Sequence, residues 1–174
     1  MKHVISAIAA LVSVSFLSAA LAAPVGSIGN AQSYDPVAEQ DGMFMSIIAD
    51  EANMRAAPRK DSLIQWVYVR AGLPVLVVEQ YDNWRKVVDP EGVSGWMRAD
   101  LLSERRTAFV MDRTRTMFDR PRADANEAYQ IEAGNVGTIR ICQGAWCRIT
   151  VGAATGWILR THLWGTFEGE DFDQ

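Results

Sequence analysis

The stretch Trp84-Arg85-Lys86-Val87, which Gly95-Trp96 follows, returns later in the chain as Trp146-Cys147-Arg148-Ile149, which Gly156-Trp157 follows. The two sets lie about 60 residues apart, and an ordered pattern that recurs at one period indicates one structural unit used twice. A chain of 174 residues has room for two small domains. The pattern therefore predicts two tandem units instead of one large core.

Other landmarks recur with the same spacing. Ala71-Gly72 before the first motif matches Ala133-Gly134 before the second, and Arg55 with Pro58 matches Met117 to Pro121 less closely. We expect a signal peptide at 1–22, a flexible leader at 23–42, a first unit at 43–104, a second unit at 105–164 and an acidic tail at 165–174.

The N-terminus has the organisation of a secretory signal peptide. Met1-Lys2-His3 is short and basic, an apolar run covers Val4 to Leu17, and Ala20-Leu21-Ala22 supplies a small-x-small cleavage pattern. A membrane anchor is the alternative, but the run is shorter than the roughly 20 residues that a membrane-spanning helix needs. We expect cleavage after Ala22, and hence a periplasmic or secreted protein without a membrane anchor.

The charge balance argues against nucleic acid as a partner. The chain has 17 Lys and Arg against 21 Asp and Glu, and loss of Lys2 with the signal peptide leaves a formal charge of −5. Binding of a polyanion needs a surplus of cations. The sequence has no glycine-rich phosphate loop and no Gly-x-Ser-x-Gly elbow, so we expect no cofactor.

The rest of the chain predicts short strands and no long helix. Segments rich in Val, Ile, Trp and Tyr alternate with turn residues, which is typical of small β-barrels. The predicted strands are 44–48, 63–69, 73–79, 84–88 and 95–97 in the first unit, and 107–111, 128–131, 136–142, 146–151 and 156–159 in the second. Long polar loops are predicted at 49–61 and 112–126, and a helical turn closes each unit at 99–102 and 161–164. The fold class is therefore all-β, with two tandem small barrels.

The end of the chain is acidic. Four carboxylates follow Gly165, namely Glu168, Glu170, Asp171 and Asp173. We expect a solvated tail. The alternative is a docking segment that uses Phe167 and Phe172.

Cys142 and Cys147 are the two cysteines of the chain. If the strands that contain them form a hairpin, the two residues are direct cross-strand neighbours, with Cα atoms about 4.5–5.5 Å apart. A disulfide accepts that separation, and an exported chain meets an oxidising environment. We therefore predict a Cys142–Cys147 disulfide that sets the register of one hairpin. In the first unit Val78 or Glu79 and Arg85 are expected at the comparable places.

A hydrolase that uses Cys147 and His162 is the enzymatic alternative. A thiolate nucleophile needs a free thiol with a base within hydrogen-bond reach. Here Cys142 competes for the thiol, and His162 is expected in a closing turn where the first unit has Asp100. One histidine and two cysteines do not complete a tetrahedral zinc site. We expect neither catalytic residues nor a metal site.

The ordered set Asn53-Met54-Arg55, Ala71-Gly72, Trp84-Arg85-Lys86-Val87 and Gly95-Trp96 resembles the bacterial SH3-like (SH3b) domain. The second unit resembles the variant with a Cys before the hairpin and Trp-Cys-Arg after it, although Thr114-Arg115-Thr116-Met117 departs from the Asn-Met-Arg pattern. The resemblance implies two strongly bent barrels of five to six strands. It also implies export and an accessory role in binding cell-wall peptides or protein segments.

A peptide groove on such a barrel needs exposed aromatic side chains beside a polar loop. The candidate ligand-binding residues are Arg55, Tyr81, Trp84 and Trp96 in the first unit and Arg115, Trp146 and Trp157 in the second. The alternative is that the four tryptophans cover the small cores. Trp66 and Tyr68 are expected at an interface between the units.

The sequence thus favours a non-enzymatic periplasmic binding module that recognises a peptidoglycan peptide or a periplasmic protein through tandem SH3-like barrels. A scaffold whose two packed barrels dock a partner protein is the alternative of the same class. The sequence predicts no oligomeric state.

Overall fold

The computed structural model describes residues 42–173. The predicted signal peptide and all but the last residue of the predicted leader lie outside the described residues. Within the described part the chain forms two antiparallel sheets, one for each copy of the repeated pattern.

The first sheet contains seven strands. Their bounds are β1 Met43–Ile47, β2 Ala52–Arg55, β3 Ile64–Tyr68, β4 Pro74–Tyr81, β5 Trp84–Val88, β6 Ser94–Arg98 and β7 Leu102–Ser103. A 3-10 helix at Ala99–Leu101 separates β6 from β7. Strands β2 and β6 alternate between buried and partly buried residues, because successive side chains of a strand point to opposite faces.

The second sheet repeats this arrangement. Its strands are β8 Thr107–Val110, β9 Arg115–Phe118, β10 Glu127–Ile131, β11 Val136–Gln143, β12 Trp146–Val151, β13 Ala154–Leu159 and β14 Leu163–Trp164, and a short strand β15 at Phe172–Asp173 pairs with β11. A 3-10 helix at Arg160–His162 again precedes the closing strand.

The two sheets have the same strand order. The first runs β3-β2-β6-β5-β4-β1-β7 and the second runs β10-β9-β13-β12-β11-β8-β14, so each strand has a counterpart seven strands later. Both copies are all-β SH3-like domains, as the repeat and the resemblance predicted. The bounds Trp84–Val88 and Trp146–Val151 agree residue for residue with the strands predicted there.

The recurrent Ala-Gly pair makes the same turn in both copies. Gly72 and Gly134 have φ angles of 85° and 81°, a left-handed conformation that glycine adopts without a Cβ clash. The amide of Gly72 donates to the carbonyl of Ile47 at 2.6 Å, and that of Gly134 donates to Val110 at 2.9 Å. The turn therefore returns the chain to the end of the first strand in each barrel.

The prediction of two long loops needs correction, because each of these segments contains a strand. Residues 49–61 contain β2, and residues 112–126 contain β9. Each strand has four residues, and in each a single methionine, Met54 or Met117, is fully buried while the next side chain is partly exposed. A four-residue strand that lies between acidic residues and a proline shows too little alternation of apolar and polar residues to be recognised in the sequence.

Each barrel has its own core. Ten buried residues form the first, among them Ile47, Met54, Val87 and Met97, and ten form the second, among them Met117, Ile139, Ile149 and Ile158. Phe109 of the second barrel packs partly against the first core.

A third buried cluster joins the two barrels. Phe44, Leu76 and Val88 of the first barrel are covered by Trp164 and Phe167. The ring of Phe44 lies 4.9 Å from that of Trp164 and 4.7 Å from that of Phe167, measured between centroids.

The predicted interface residues do not belong to this cluster. Tyr68 is buried in the first core, and Trp66 is 50% exposed. Both residues line a cleft that Phe109 of the second barrel also lines, so they lie at a second place where the barrels approach each other.

The C-terminal segment is not a solvated tail. Phe172 packs against the second core, and β15 pairs with β11 at Ile141 and Cys142. Glu170 accepts two hydrogen bonds from Arg106, at 2.6 and 2.9 Å. Burial alone would raise the pKa of Glu170, but the hydrogen bonds from Arg106 and from the Phe167 amide hold it below its usual value. Phe167 and Phe172 anchor this segment, as in the docking alternative, but the surface that they contact belongs to the same chain.

Among residues 42–173, no helix has the length and apolar character needed to cross a membrane.

Candidate functional site

The outer face of the first barrel carries a row of cross-strand neighbours, which we call the Trp96 row. Arg55 on β2 pairs with Trp96 on β6, Trp96 pairs with Lys86 on β5, and Lys86 pairs with Glu79 on β4. Residues directly opposite in an antiparallel pair share one face of the sheet, with Cβ atoms about 4.5–5.5 Å apart. The row therefore places a partly exposed indole between two cations.

Arg55 is held at the edge of this row. Its Nη1 donates to the carbonyl oxygen of Ser62 at 2.7 Å, and the Ser62 hydroxyl accepts from the Ala57 amide at 2.9 Å. These bonds fold the loop after β2 back onto the strand. The remaining N–H groups of the guanidinium can bind a planar carboxylate or a carbonyl, because a guanidinium offers five donors in a fixed fork.

Lys86 closes the other side of the row. Its Nζ lies 3.6 Å from Glu79 Oε2, and the two side chains are 38% and 55% exposed. An ion pair that open to water contributes about 0–1 kcal/mol to stability. A ligand carboxylate can therefore recruit Lys86 at little energetic cost.

A second row of cross-strand neighbours runs beside the first. It contains two residues that the sequence predicted as one group of ligand-binding candidates, and they differ in exposure. Tyr81 pairs with Trp84, and Trp84 pairs with Arg98. Tyr81 is 61% exposed, whereas Trp84 is 7% exposed. Arg98 donates to both carboxylate oxygens of Asp100, and these hydrogen bonds lower the pKa of Asp100. Tyr81 is thus open to a ligand, while Trp84 is mostly covered by protein.

In the second barrel Arg115 does not stand where Arg55 stands in the first. Phe118 pairs with Trp157, as Arg55 pairs with Trp96. Arg115 pairs with Ile131, as Ala52 pairs with Tyr68. The side chain of Arg115 is 10% exposed and lies 3.2 Å from Asp112. Arg115 was a candidate because it lies in Thr114-Arg115-Thr116-Met117, the stretch that replaces the Asn-Met-Arg pattern.

The aromatic residues of the second barrel pack on one another. The rings of Phe118 and Trp146 meet edge to face with centroids 5.6 Å apart. Trp157 stands between Phe118 and Arg148 in the register of the sheet. The counterpart of the Trp96 row therefore has one cation instead of two, and a second tryptophan contacts the residue that replaces Arg55.

The predicted disulfide is present. Cys142 and Cys147 are register partners on β11 and β12, with Cα atoms 4.1 Å apart. Their counterparts in the first barrel are Gln80 and Arg85, so the expected counterpart Val78 or Glu79 was off by one or two positions. The difference arises because β4 continues to Tyr81, two residues beyond the end of the strand predicted there. Cys147 is fully buried and has no free thiol, so it is not a thiolate nucleophile in this state.

His162 ends the second 3-10 helix, and its counterpart is Leu101, not Asp100, because each residue closes its helix. Burial lowers the pKa of His162, and Arg115 and Arg113 lower it further. Its Nδ1 is buried and accepts or donates no hydrogen bond within the described residues. There is no thiol proton for this imidazole to remove from Cys147, because the sulfur is bonded to Cys142.

A cleft of about 230 Å³ lies on the first barrel, where Phe109 of the second barrel closes one side. Trp66, Leu73 and Pro90 supply further apolar lining. The hydroxyl of Tyr68 donates to Asp89 Oδ2 at 2.8 Å at its base, and burial together with this carboxylate raises the pKa of Tyr68. Sequence analysis missed the cleft because no local pattern indicates that Phe109 approaches the first barrel.

Across residues 42–173 there is no group of three or more His, Cys, Asp or Glu side chains arranged to hold a metal ion.

The family model described as the bacterial SH3 domain matches residues 49–104 and 112–165. A comparison with curated proteins found no significant match. Among solved structures, NlpC2 from Trichomonas vaginalis is similar at 13% identity and a TM-score of 0.34, over 75% of this chain and 51% of that chain. An NlpC/P60 family protein from Bacillus cereus is similar at 14% identity and a TM-score of 0.31, over 74% and 58% of the two chains. The chain thus spans about half the length of these structures.

Proposed function

Because the chain belongs to the bacterial SH3 domain family, we propose that it is an exported, non-enzymatic module that binds a cell-wall peptide on the outer face of its first barrel. Bacterial SH3 domains generally bind cell-wall peptidoglycan and are typically extracellular or associated with the wall. The proposal places the contact on the Trp96 row together with Tyr81.

The observation that carries the proposal is the indole of Trp96 between Arg55 and Lys86. Wall peptides carry carboxylates and small alkyl side chains on an extended backbone. Arg55 and Lys86 suit the carboxylates, and the indole face suits the alkyl groups and peptide planes. Tyr81 extends this surface along the sheet.

Two features support a binding role over a catalytic one. Cys147, the nucleophile of the alternative hydrolase, is buried in a disulfide. A disulfide between cross-strand neighbours also suits a protein that works outside the cytoplasm. The proposed location is the periplasm or the extracellular space.

The direct test is an NMR titration of the purified protein with soluble peptidoglycan fragments. The proposal expects chemical-shift changes clustered at Arg55, Tyr81 and Trp96, with smaller changes at the covered Trp84. A spectrum that stays unchanged at millimolar fragment would overturn the proposal. Retention of the protein on purified sacculi at physiological salt is the complementary measurement.

Matched variants assign the binding to one barrel. Lys86→Glu reverses one cation of the row and should weaken fragment binding at least tenfold, because a carboxylate would then face a carboxylate. The control is Arg148→Glu, which makes the same reversal at the counterpart position beside Trp157. Equal losses in the two variants would contradict a site on the first barrel.

A scaffold that docks a partner protein is the second candidate. The contact of Phe44 with Trp164 and Phe167 joins the barrels through buried aromatic rings, which favours one composite surface. Cross-linking in cells, with the linker placed at Tyr81, would recover a protein in that case and wall fragments in the first.

A further inference from the structure

The third strand of the first barrel is an exposed apolar edge. β3 is the end strand of its sheet and pairs only with β2 among the described strands. We call residues 63–69 the β3 edge. Its exposed apolar side chains are Leu63 at 74%, Ile64 at 42%, Trp66 at 50%, Val67 at 44% and Val69 at 76%. No charged residue occurs between 62 and 69.

The second barrel shows that the fold does not require an apolar strand here. β10 holds the same end position in its own sheet and is equally exposed. Its sequence is polar, with Glu127 and Gln130 in the strand and Glu132 directly after it. Natural edge strands are protected by charges of this kind, because an unpaired edge otherwise templates pairing with another chain. The β3 edge lacks that protection, so its apolar surface has a purpose other than folding.

We propose that the β3 edge pairs with the β3 edge of a second copy of this chain, antiparallel and about a twofold axis at Trp66. A twofold interface uses one patch twice, so the patch must complement itself. Antiparallel pairing about Trp66 sets Leu63 against Val69, Ile64 against Tyr68, and Gln65 against Val67. Every one of these pairs is uncharged, and most are apolar.

The charges near the two edges favour self-pairing at β3 over self-pairing at β10. The same self-pairing at β10, centred on Tyr129, would bring Glu127 of each copy within one residue of Glu132 of the other, and this accumulation of like charge disfavours it. At the ends of the β3 edge, the register brings Asp61 of one copy within one residue of Arg70 of the other. Arg70 is held near the strand end because its Nη1 donates to the Gly134 carbonyl at 2.6 Å. The interface borders the proposed Trp96 row, because Ile64 of the β3 edge is the cross-strand neighbour of Arg55.

Sedimentation velocity of the purified protein, between about 1 and 100 μM, tests the proposal. We expect a dimer that dissociates on dilution. Trp66→Lys sets two ammonium groups against each other at the axis and should raise the dimer dissociation constant at least tenfold. The matched control is Tyr129→Lys, at the counterpart position of β10 and 47% exposed, which should leave the constant unchanged.

Val69→Lys is the second test variant, because a side chain that is 76% exposed can be replaced without disturbing the core. It should also raise the dimer dissociation constant, and it replaces Trp66→Lys as the test if that variant unfolds. A wild-type protein that stays monomeric over the whole range overturns the proposal, even if it binds a different protein through Trp66. A dimer that neither lysine weakens overturns it as well.

Discussion

Arg160 occupies in the second barrel the position that Ala99 occupies in the first, since each begins a 3-10 helix. Its side chain is 7% exposed. The guanidinium donates to the carbonyl oxygens of Gly144, Phe167 and Glu170. A buried arginine in place of alanine thus ties the end of the chain to the second barrel, because its guanidinium donates to carbonyls on both.

Replacement of Arg160 by alanine should lower the free energy of unfolding by about 2–4 kcal/mol, because it removes three hydrogen bonds made by a buried, charged guanidinium. Urea unfolding measures the change. The control is Arg98→Ala, which breaks the exposed pair with Asp100 and should lower the free energy of unfolding much less, because water screens an exposed ion pair. Similar losses for the two arginines would show that the Arg160 bonds do not order the segment.

His162 should make the protein less stable in mild acid. Its pKa in the folded protein lies below the ordinary value near 6.5, first because of burial and then because of Arg115 and Arg113, with Asp112 opposing them. The unfolded chain therefore binds the proton more readily. Stability is fully present above about pH 6.5 and is lost as the pH falls toward the folded pKa.

The measurement is the free energy of unfolding at pH 7.5 and at pH 5.5. His162→Leu, which copies Leu101 of the first barrel, should remove much of the decrease. The low pKa of Glu170 acts at lower pH, where protonation of this carboxylate weakens its bonds to Arg106. Identical decreases in the wild type and in His162→Leu would contradict the assignment.

At the scale of elements, the Gly-Trp pair of each barrel lies on the strand that pairs with β2 or β9. A methyl group on Gly95 would lie 2.5 Å from Met54 Cγ, and one on Gly156 would lie 3.0 Å from Met117 Cβ. Both methionines are fully buried. Glycine is therefore needed for close approach of a strand and a core side chain.

Gly95→Ala should destabilise the protein by about 1–3 kcal/mol, which is the usual cost of overpacking a core. Gly156→Ala should cost less, because the contact that it compresses is longer. Thermal unfolding followed by circular dichroism measures both. A shorter neighbour, introduced as Met54→Ala, should reduce the cost of Gly95→Ala, and an unchanged cost would exclude the proposed clash.

Strands with strong alternation or β-branched residues were predictable, as β5 and β12 show. The four-residue strands β2 and β9 were not, since each contributes only one large side chain, a methionine, to a core. The same limit misplaced Arg115, because the alignment of the second copy depends on β9. The Cys142–Cys147 pair was predictable since its partners are 5 residues apart, and a hairpin brings such residues together by local geometry alone.

At the scale of the whole molecule, the barrels share more than a linker. Phe44 of the first strand lies against Trp164 and Phe167 from the end of the chain. The guanidinium of Arg106 lies 5.6 Å from the Phe44 ring centroid and 4.7 Å from that of Phe172. Residues 42–173 belong to one compact unit, so we expect the two barrels to stabilise each other.

A double-mutant cycle measures that coupling. Phe44→Ala and Phe167→Ala should interact by about 0.5–1.5 kcal/mol in free energy of unfolding, the range of aromatic pairs in contact. The control cycle combines Phe44→Ala with Phe118→Ala, whose ring contacts Trp146 instead, and should be additive. Additivity in both cycles would mean that the aromatic contact does not couple the barrels.

By itself the sequence determined the class of fold, the duplication, the closing 3-10 helices and the disulfide. Each of these depends on local periodicity, on turn residues such as Gly72 and Gly134, or on cysteines near each other in the chain. The tertiary structure alone decided that Arg55 and Lys86 flank Trp96, that Phe109 closes a cleft beside Trp66, and that the acidic end returns to Phe44. These contacts join residues far apart in the chain, and their register depends on bulges and buried side chains that no short segment encodes.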